Sequence, residues 1–192
     1  HINHLDLHFS FPVYTEKNDS TSKRLFDNFR EMILENPYAD FGNWTKNLES
    51  ENKQFFISAS EMEEIGQKFS LKSFEGGTKI LIVWRADKMN VQAANKFLKF
   101  LEEPPAKTII ILTAENTDTI LPTILSRTQM VEVPRIDEYE IEKHLIEQFQ
   151  ISDEKAKQIS YQTQGNWNNT LKIIHNQEID TEFEELFIHW VR

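Results

Sequence analysis

The sequence predicts an α/β fold in which a parallel sheet is followed by a small, all-helical domain. Two short apolar runs rich in β-branched residues, 79–84 and 108–112, are typical of strands buried on both faces. A helical pattern separates them, and strand–helix–strand order is the usual basis of a parallel sheet. A further short strand is predicted at 130–133, and after Pro134 the strand character gives way to helical periodicity. We therefore place one domain at 1–133 and a second at 134–192.

Two helical patterns precede the first of these apolar runs. Residues Ser22–Glu35 carry apolar residues at helical spacing, and Asn36-Pro37 should end that helix. A second helix is predicted to begin with the capping-box pattern Ser60–Glu63 and to reach about Phe69, after a brief apolar run at 55–57 that resembles a strand. The first of these helices is amphipathic, so we expect it to pack against the rest of the domain.

The polar stretch 41–53 fits either a short helix or an exposed loop. Trp44 lies within it and could serve local packing or contact a partner. We favour packing for Trp44.

The helix between the two apolar runs has clear ends. Asn90 can cap its start, and Pro104 and Pro105 prevent its continuation. In open α/β sheets, ligands usually bind beyond the carboxyl ends of the strands. Here those positions are residues 84–88 and 113–116.

The second domain should contain three or four helices. Polar breaks at 151–153 and 164–166 separate its helical patterns. A final amphipathic pattern at Glu182–Arg192 predicts one more helix.

Two motifs give the sequence a specific resemblance. The helix end 94–105, which closes with Leu-Glu-Glu-Pro-Pro, is followed by Leu-Pro-Thr-Ile-Leu-Ser-Arg-Thr at 121–128. Together they resemble the AAA+ subunits of bacterial sliding-clamp loaders, and among these the delta-prime family of DNA polymerase III. The resemblance covers about Leu5 to Leu171 and implies a partial AAA+ core followed by a helical lid. It also implies that the helix at Glu182–Arg192 starts a linker to a collar domain outside this sequence.

The resemblance also assigns a role to Arg127. Ser126 and Arg127 are similar to the family's Ser-Arg-Cys motif, with Thr128 at the usual place of cysteine. In that family the arginine reaches the nucleotide site of a neighbouring subunit, so Arg127, with Ser126 beside it, is the candidate catalytic residue in trans. A guanidinium suits this task because it is permanently charged and offers several donors in one plane. From the residues alone, a pairing of Arg127 with a nearby carboxylate is the favoured interpretation, and the resemblance reverses that preference.

The sequence lacks the residues that hydrolyse ATP in this family. Trp84 and Arg85 stand where an active subunit has an aspartate for magnesium and a glutamate for water. Asp87 follows too late to replace them, and we expect it to be structural. Asn168 stands where an active lid segment offers an arginine, and Trp167 beside it should be a core residue of the lid.

No phosphate-binding Gly-x-x-x-x-Gly-Lys-Ser/Thr loop occurs either. The sequence begins at His1, and the family's phosphate loop lies upstream of the part that resembles it, so we expect the front of the core to be missing. We assign no cofactor to this chain and no intrinsic ATPase activity. ATP–Mg would act on the partner subunit, and zinc could belong to the family's module upstream.

The composition describes an acidic globular chain. Its 192 residues carry a formal net charge of −10 and include 14 phenylalanines and no cysteine. Disulfides and thiolate metal sites are therefore excluded within this sequence. No apolar run approaches the ~18 residues of a membrane span, and cytoplasm is the expected location.

Three histidines near the start, His1, His4 and His8, could share a metal ion. The alternating apolar residues between 5 and 11 instead predict a strand. We favour a packing role for His8. Lys96, Lys99 and Lys107 could approach a DNA backbone in an assembled ring, but a solvated helix face is the simpler interpretation.

We therefore predict a catalytically inactive delta-prime-like subunit that donates Arg127 to a neighbouring ATPase during clamp loading. Its expected partners are gamma/tau and delta subunits and, indirectly, the sliding clamp and primer-template DNA. One alternative is a catalytic gamma/tau-type ATPase subunit without its phosphate loop. The other is a DNA-binding adaptor that acts outside a ring, which the acidic charge opposes.

Overall fold

The computed structural model describes residues 4–71 and 77–175. Three parallel strands form a sheet in the order β1-β2-β3, with β1 at Leu7–Ser10, β2 at Lys79–Val83 and β3 at Thr108–Leu112. The α-helices are α1 (Phe26–Glu35), α2 (Phe41–Asn47), α3 (Ala59–Ser70), α4 (Val91–Glu102), α5 (Pro122–Leu125), α6 (Glu138–Phe149) and α7 (Asp153–Thr163), and residues 167–175 are also helical. Short 3-10 turns occupy Ser22–Leu25 and Ala86–Lys88. The predicted α/β class with a parallel sheet and following helices is confirmed.

The register of the sheet brings the carboxyl ends of its strands together. Ser10 pairs with Val83, and Val83 pairs with Leu112. Beyond these positions the Thr113 N–H donates to the Val83 carbonyl at 3.0 Å, and the Ala86 N–H donates to the Thr113 carbonyl at 2.8 Å. The chain after β2 is therefore fixed against the chain after β3.

Local sequence signals set most helix ends. The Asn90 side chain accepts from the Ala93 N–H at 2.8 Å, and α4 ends at Glu102, so both predicted ends are confirmed. The predicted start of α3 at Ser60 is wrong, because Ser58 is the cap and accepts from the Glu61 N–H at 3.1 Å. The run at 55–57 forms only isolated bridges, since Phe56 pairs with Val13 and Ile57 with Met89.

Two hydrophobic clusters stabilise the part of the chain that holds the sheet. The first lies between the sheet and helices α3 and α4, around Leu81 and Phe97. The second contains Phe11, Phe29 and Trp44. Trp44 lies on α2 and is fully buried, which confirms its predicted packing role.

Two strand predictions are wrong or incomplete. Residues 130–133 form no strand, and Met130, Val131 and Val133 are between 73% and 86% exposed. A strand exists only by pairing, and among the described residues these have no ladder partner. On β3, Ile110 and Leu112 pack on the first cluster, whereas Ile109 and Ile111 are half exposed, so this strand is not buried on both faces within the described part.

The chain divides into two compact units after Met130, whereas the sequence-based boundary lies after Val133. In the second unit α6 and α7 pack around Ile141, Leu145 and Ile159. Gly165 turns the chain after α7 with a φ of +79°. The predicted helix at Glu182–Arg192 lies outside the described residues. No helix that is described has the length and apolar character required to cross a membrane.

Candidate functional site

The predicted site residues Ser126 and Arg127 follow a short helix that is anchored in the core. Helix α5 begins with Pro122, a favourable first residue because its fixed φ suits a helix. Ile120 and Ile124 are 8% and 2% exposed and belong to the first hydrophobic cluster. The backbone that carries Arg127 is therefore held by burial of the preceding turn.

The Arg127 guanidinium lies at the surface and makes two good hydrogen bonds. Its Nη2 donates to Glu102 Oε1 at 2.6 Å, and its Nη1 donates to the Thr123 carbonyl at 3.0 Å. The side chain is 37% exposed and that of Glu102 is 51% exposed. The carboxylate pairing that the sequence allowed is thus observed, and the guanidinium remains open to solvent on one side.

The hydroxyl groups beside Arg127 bind the backbone of α5. Ser126 Oγ donates to the Thr123 carbonyl at 3.1 Å. Thr128 Oγ1 lies 3.1 Å from the Leu125 carbonyl and 3.3 Å from that of Ile124. Ser126 binds a carbonyl near the end of α5, whereas Thr128 adds a second hydrogen bond to carbonyls that already accept from the Arg127 and Thr128 N–H groups at 3.0 and 3.2 Å. Both hydroxyl groups therefore stabilise the turn that holds Arg127. A cysteine in place of Thr128 would be a weaker donor.

The carboxyl end of β2 is closed by two large side chains. Trp84 packs in the second cluster, with its ring centre 5.4 Å from that of Phe29 and 6.4 Å from that of Phe41. Arg85 adopts a left-handed conformation with a φ of 60°, and its N–H donates to Thr113 Oγ1 at 3.2 Å. The strained backbone turns the Arg85 side chain along the end of the sheet.

Two carboxylates surround the Arg85 guanidinium. Nε and Nη2 donate to the two oxygens of Asp87 at 3.0 and 2.8 Å, and Nη1 donates to Glu115 Oε1 at 2.6 Å. The Phe41 ring lies under the guanidinium, with 5.0 Å between Cζ and the ring centre. Burial disfavours the charge, but hydrogen bonds and attraction from Asp87 and Glu115 outweigh it and raise the pKa of Arg85. Asp87 is nearly buried in this pair, so its predicted structural role is confirmed.

Of the two residues singled out in the second unit, one is buried and the other is partly buried. Asn168 is 5% exposed. Trp167 is partly buried against the cluster around Ile141, and its ring lies edge-on to His144 at 5.0 Å. The predicted core role of Trp167 is confirmed.

The basic and histidine residues near the sheet have ordinary surroundings. Lys96 forms an ion pair with Glu63, and Lys99 and Lys107 are exposed. The His8 ring packs on Phe69 at 4.9 Å, as predicted, and burial lowers the pKa of His8. Within 4–71 and 77–175, no group of three or more histidine or acidic side chains could hold a metal ion.

The sequence patterns did not point to three glutamates that bind other side chains: Glu102 binds Arg127, Glu115 binds Arg85 and Glu61 binds Ser22. Glu102 was seen only as part of a motif, and Glu115 was not singled out. Glu61 is 4% exposed and accepts from the Ser22 N–H and Oγ at 2.7 and 2.6 Å. The pattern Ser58-Ala59-Ser60-Glu61 was a second capping-box match that could have drawn attention to it.

Comparison with known proteins supports the resemblance. A family model described as DNA polymerase III, delta subunit, matches residues 13–137, about two-thirds of the chain. The DNA polymerase III subunit delta' of Bacillus subtilis is 33% identical over 122 residues, which are 64% of this chain and 36% of that protein. The subunit delta' of Pseudomonas aeruginosa is 46% identical over 52 residues, 27% of this chain and 16% of that protein. The chain thus spans little more than a third of the length of the Bacillus subtilis protein.

Solved structures give weaker likenesses. A DNA polymerase III gamma subunit-related protein from Thermotoga maritima is 28% identical with a TM-score of 0.47, over 61% of this chain and 38% of that one. A mutant RuvB protein from Thermotoga maritima is 11% identical with a TM-score of 0.47, over 61% and 43%. These scores carry no weight in the assignment, which depends on the sequence matches. The chain belongs to the DNA polymerase III delta subunit family, and its relatives are the delta-prime proteins that its motifs predicted.

Proposed function

We propose that this chain acts in a clamp-loader assembly as a partner that supplies Arg127 to the ATP site of a neighbouring ATPase subunit and does not hydrolyse ATP itself. The observation that carries the proposal is the position of Arg127, an exposed guanidinium on a backbone turn anchored by Ile124. Such a group can reach a phosphate outside its own chain. An arginine finger of this kind accelerates phosphoryl transfer by ~10³ to 10⁵.

The end of β2 supports the absence of intrinsic hydrolysis. Magnesium needs carboxylate oxygens, and both oxygens of Asp87 are bound by Arg85. Trp84 is packed among aromatic rings and offers no ligand. Asp87 could bind a metal ion only by giving up its nearly buried ion pair with Arg85. The alternative of a catalytic gamma/tau-type subunit is therefore less well supported.

The charge of the chain supports a role through protein partners. With a net charge of −10, the chain has no excess of Lys and Arg to displace counterions from DNA. We propose gamma/tau and delta subunits as direct partners, the clamp and primer-template DNA as indirect ones, and the cytoplasm as the location. A DNA-binding adaptor outside a ring would require salt-sensitive binding by the isolated chain.

The test uses the full-length parent protein with its cognate ATPase subunit, clamp and primed DNA. ATP turnover is compared for wild type and Arg127→Ala, while mass photometry confirms that the ring is intact. Turnover should fall about 10²-fold or more. Arg24→Ala is the control, because Arg24 is also ion-paired, with 2.8 Å between its Nη1 and Glu16 Oε2, and lies outside α5. Unchanged turnover for Arg127→Ala in an intact ring would refute the finger role.

A further inference from the structure

The pairing of Arg127 with Glu102 joins two elements that are 25 residues apart in sequence. Glu102 is the last residue of α4, and Arg127 follows α5. We propose that Glu102 is a positioning residue. Its carboxylate holds Arg127 in the free subunit and releases it when the phosphate of a neighbour's ATP binds, and we call this ion pair the latch. This inference rests on the proposed function of Arg127.

Glu102 and a phosphate would bind the same guanidinium. Nη2 of Arg127 donates to Glu102 at 2.6 Å, and Nη1 donates to the Thr123 carbonyl at 3.0 Å. Each terminal nitrogen carries a second N–H group, so a phosphate can bind both nitrogens, but it then lies beside the Glu102 carboxylate. Two anions this close repel, so binding of the phosphate weakens the bond between Arg127 and Glu102.

The Arg127–Glu102 ion pair can break and re-form easily, because both side chains are exposed to solvent. Both side chains contact solvent, at 37% and 51% exposure, and exposed ion pairs of this kind contribute only a few-fold to an equilibrium. While Arg127 is held by Glu102 it cannot bind a neighbour's phosphate freely, so the apparent affinity for the neighbour's ATP is the intrinsic affinity multiplied by the fraction of time that Arg127 is free. The Thr123 carbonyl keeps the guanidinium near α5 after release, because that bond does not involve Glu102.

The next residue provides a matched control. Glu103 has the same charge and follows Glu102 directly, but it lines a surface hollow between α3 and α4 with Met62 and Lys99. Among the described residues, Glu103 has no hydrogen bond or ion pair with Arg127. Changing Glu103 to glutamine removes one negative charge from the same region and leaves the latch in place.

The experiment measures ATP turnover against ATP concentration in the reconstituted assembly. Glu102→Gln keeps the size of the side chain and weakens its bond to Arg127. KM for ATP should fall by about two- to fivefold with kcat changed less than about twofold. Glu103→Gln should match the wild type. In an Arg127→Ala background, Glu102→Gln should have no effect, because the finger is absent. Thermal unfolding of each variant confirms that it is folded.

The outcomes separate the two proposals. If Arg127→Ala keeps full turnover in an intact ring, the finger role itself is wrong, and the latch with it. If Arg127→Ala loses turnover but Glu102→Gln leaves KM unchanged or raises it, the finger stands and the latch is overturned. An effect of Glu102→Gln that persists in the Arg127→Ala background would also overturn it, because Glu102 would then act without Arg127.

Discussion

Arg85 and Asp87 are joined by two charge-assisted hydrogen bonds at the carboxyl end of β2, from Nε to Oδ1 at 3.0 Å and from Nη2 to Oδ2 at 2.8 Å. Their side chains are 9% and 5% exposed. The pair lies at the edge of the sheet where β2 ends, and Glu115 binds the same guanidinium at 2.6 Å. The pair also holds Arg85 in a left-handed conformation that side chains rarely adopt.

Removal of the guanidinium should destabilise the fold. Arg85→Ala leaves the Asp87 carboxylate nearly buried without its cation, so the free energy of unfolding should fall by about 3 kcal/mol. Arg85→Gly loses the same pair but adopts a φ of 60° without strain, so it should be more stable than Arg85→Ala by about 1 kcal/mol. Urea denaturation of both variants measures this, and equal stabilities would refute the strain at Arg85.

The Glu61 carboxyl should make stability depend on pH. Burial raises its pKa above the ordinary value of 4.5, and the hydrogen bonds from Ser22 only partly oppose this. Because the folded pKa is the higher one, the stabilisation is complete below about pH 4.5 and is lost as the pH rises through the folded value. The free energy of unfolding of the wild type minus that of Glu61→Gln should therefore decrease with rising pH.

Urea denaturation at a series of pH values from about 4.5 to 8 checks the effect of Glu61. Ser22→Ala removes the hydroxyl donor at 2.6 Å and should make the decrease steeper. If the difference in the free energy of unfolding between wild type and Glu61→Gln does not change across this pH range, the raised pKa of Glu61 is contradicted.

Trp44 should contribute strongly to the second hydrophobic cluster. It is fully buried, it lies edge-on to Phe11 and Phe29, and its Nε1 donates to the Pro12 carbonyl at 2.8 Å. Trp44→Ala should lower the free energy of unfolding by about 3–5 kcal/mol. Trp44→Phe keeps the aromatic packing but leaves the Pro12 carbonyl unpaired, at a cost of about 1–3 kcal/mol. Denaturant unfolding measures both losses. A larger loss for Trp44→Phe than for Trp44→Ala would show that the hydrogen bond outweighs the packing of the Trp44 ring.

Two glycines should respond to alanine in opposite directions. At Gly165 a Cβ would lie 2.4 Å from the Ile136 carbonyl oxygen, and the φ of +79° is unfavourable for alanine. Gly165→Ala should destabilise the second unit by more than about 1 kcal/mol. At Gly66, within α3, a Cβ would meet nothing within 4 Å. Gly66→Ala should therefore stabilise the first unit by about 0.5–1 kcal/mol.

Thermal unfolding followed by circular dichroism resolves the two changes, since each affects a different compact unit. If Gly165→Ala leaves the stability of the second unit unchanged, the turn after α7 can relax around the new methyl group and the predicted clash is refuted.

Much of the fold follows from patterns that are local in sequence. The strand–helix–strand unit, the cap at Asn90 and the end of α4 before Pro104 were all predicted, because periodicity, capping and proline act within a few residues. The motif around Arg127 was found differently, through its resemblance to the clamp-loader family. The wrong strand at 130–133 shows the limit, because a strand also needs a neighbour, and the pattern of one segment does not reveal it.

The sequence by itself determined the class of the fold, the ends of α4 and the residue to test as a finger. Only the tertiary structure decided that Glu102 pairs with Arg127, that Arg85 lies between Asp87 and Glu115, and that Trp44 is buried. These contacts join segments far apart in the chain or depend on the turn that the backbone takes. Their formation depends on how the helices and strands pack together, which no local pattern encodes.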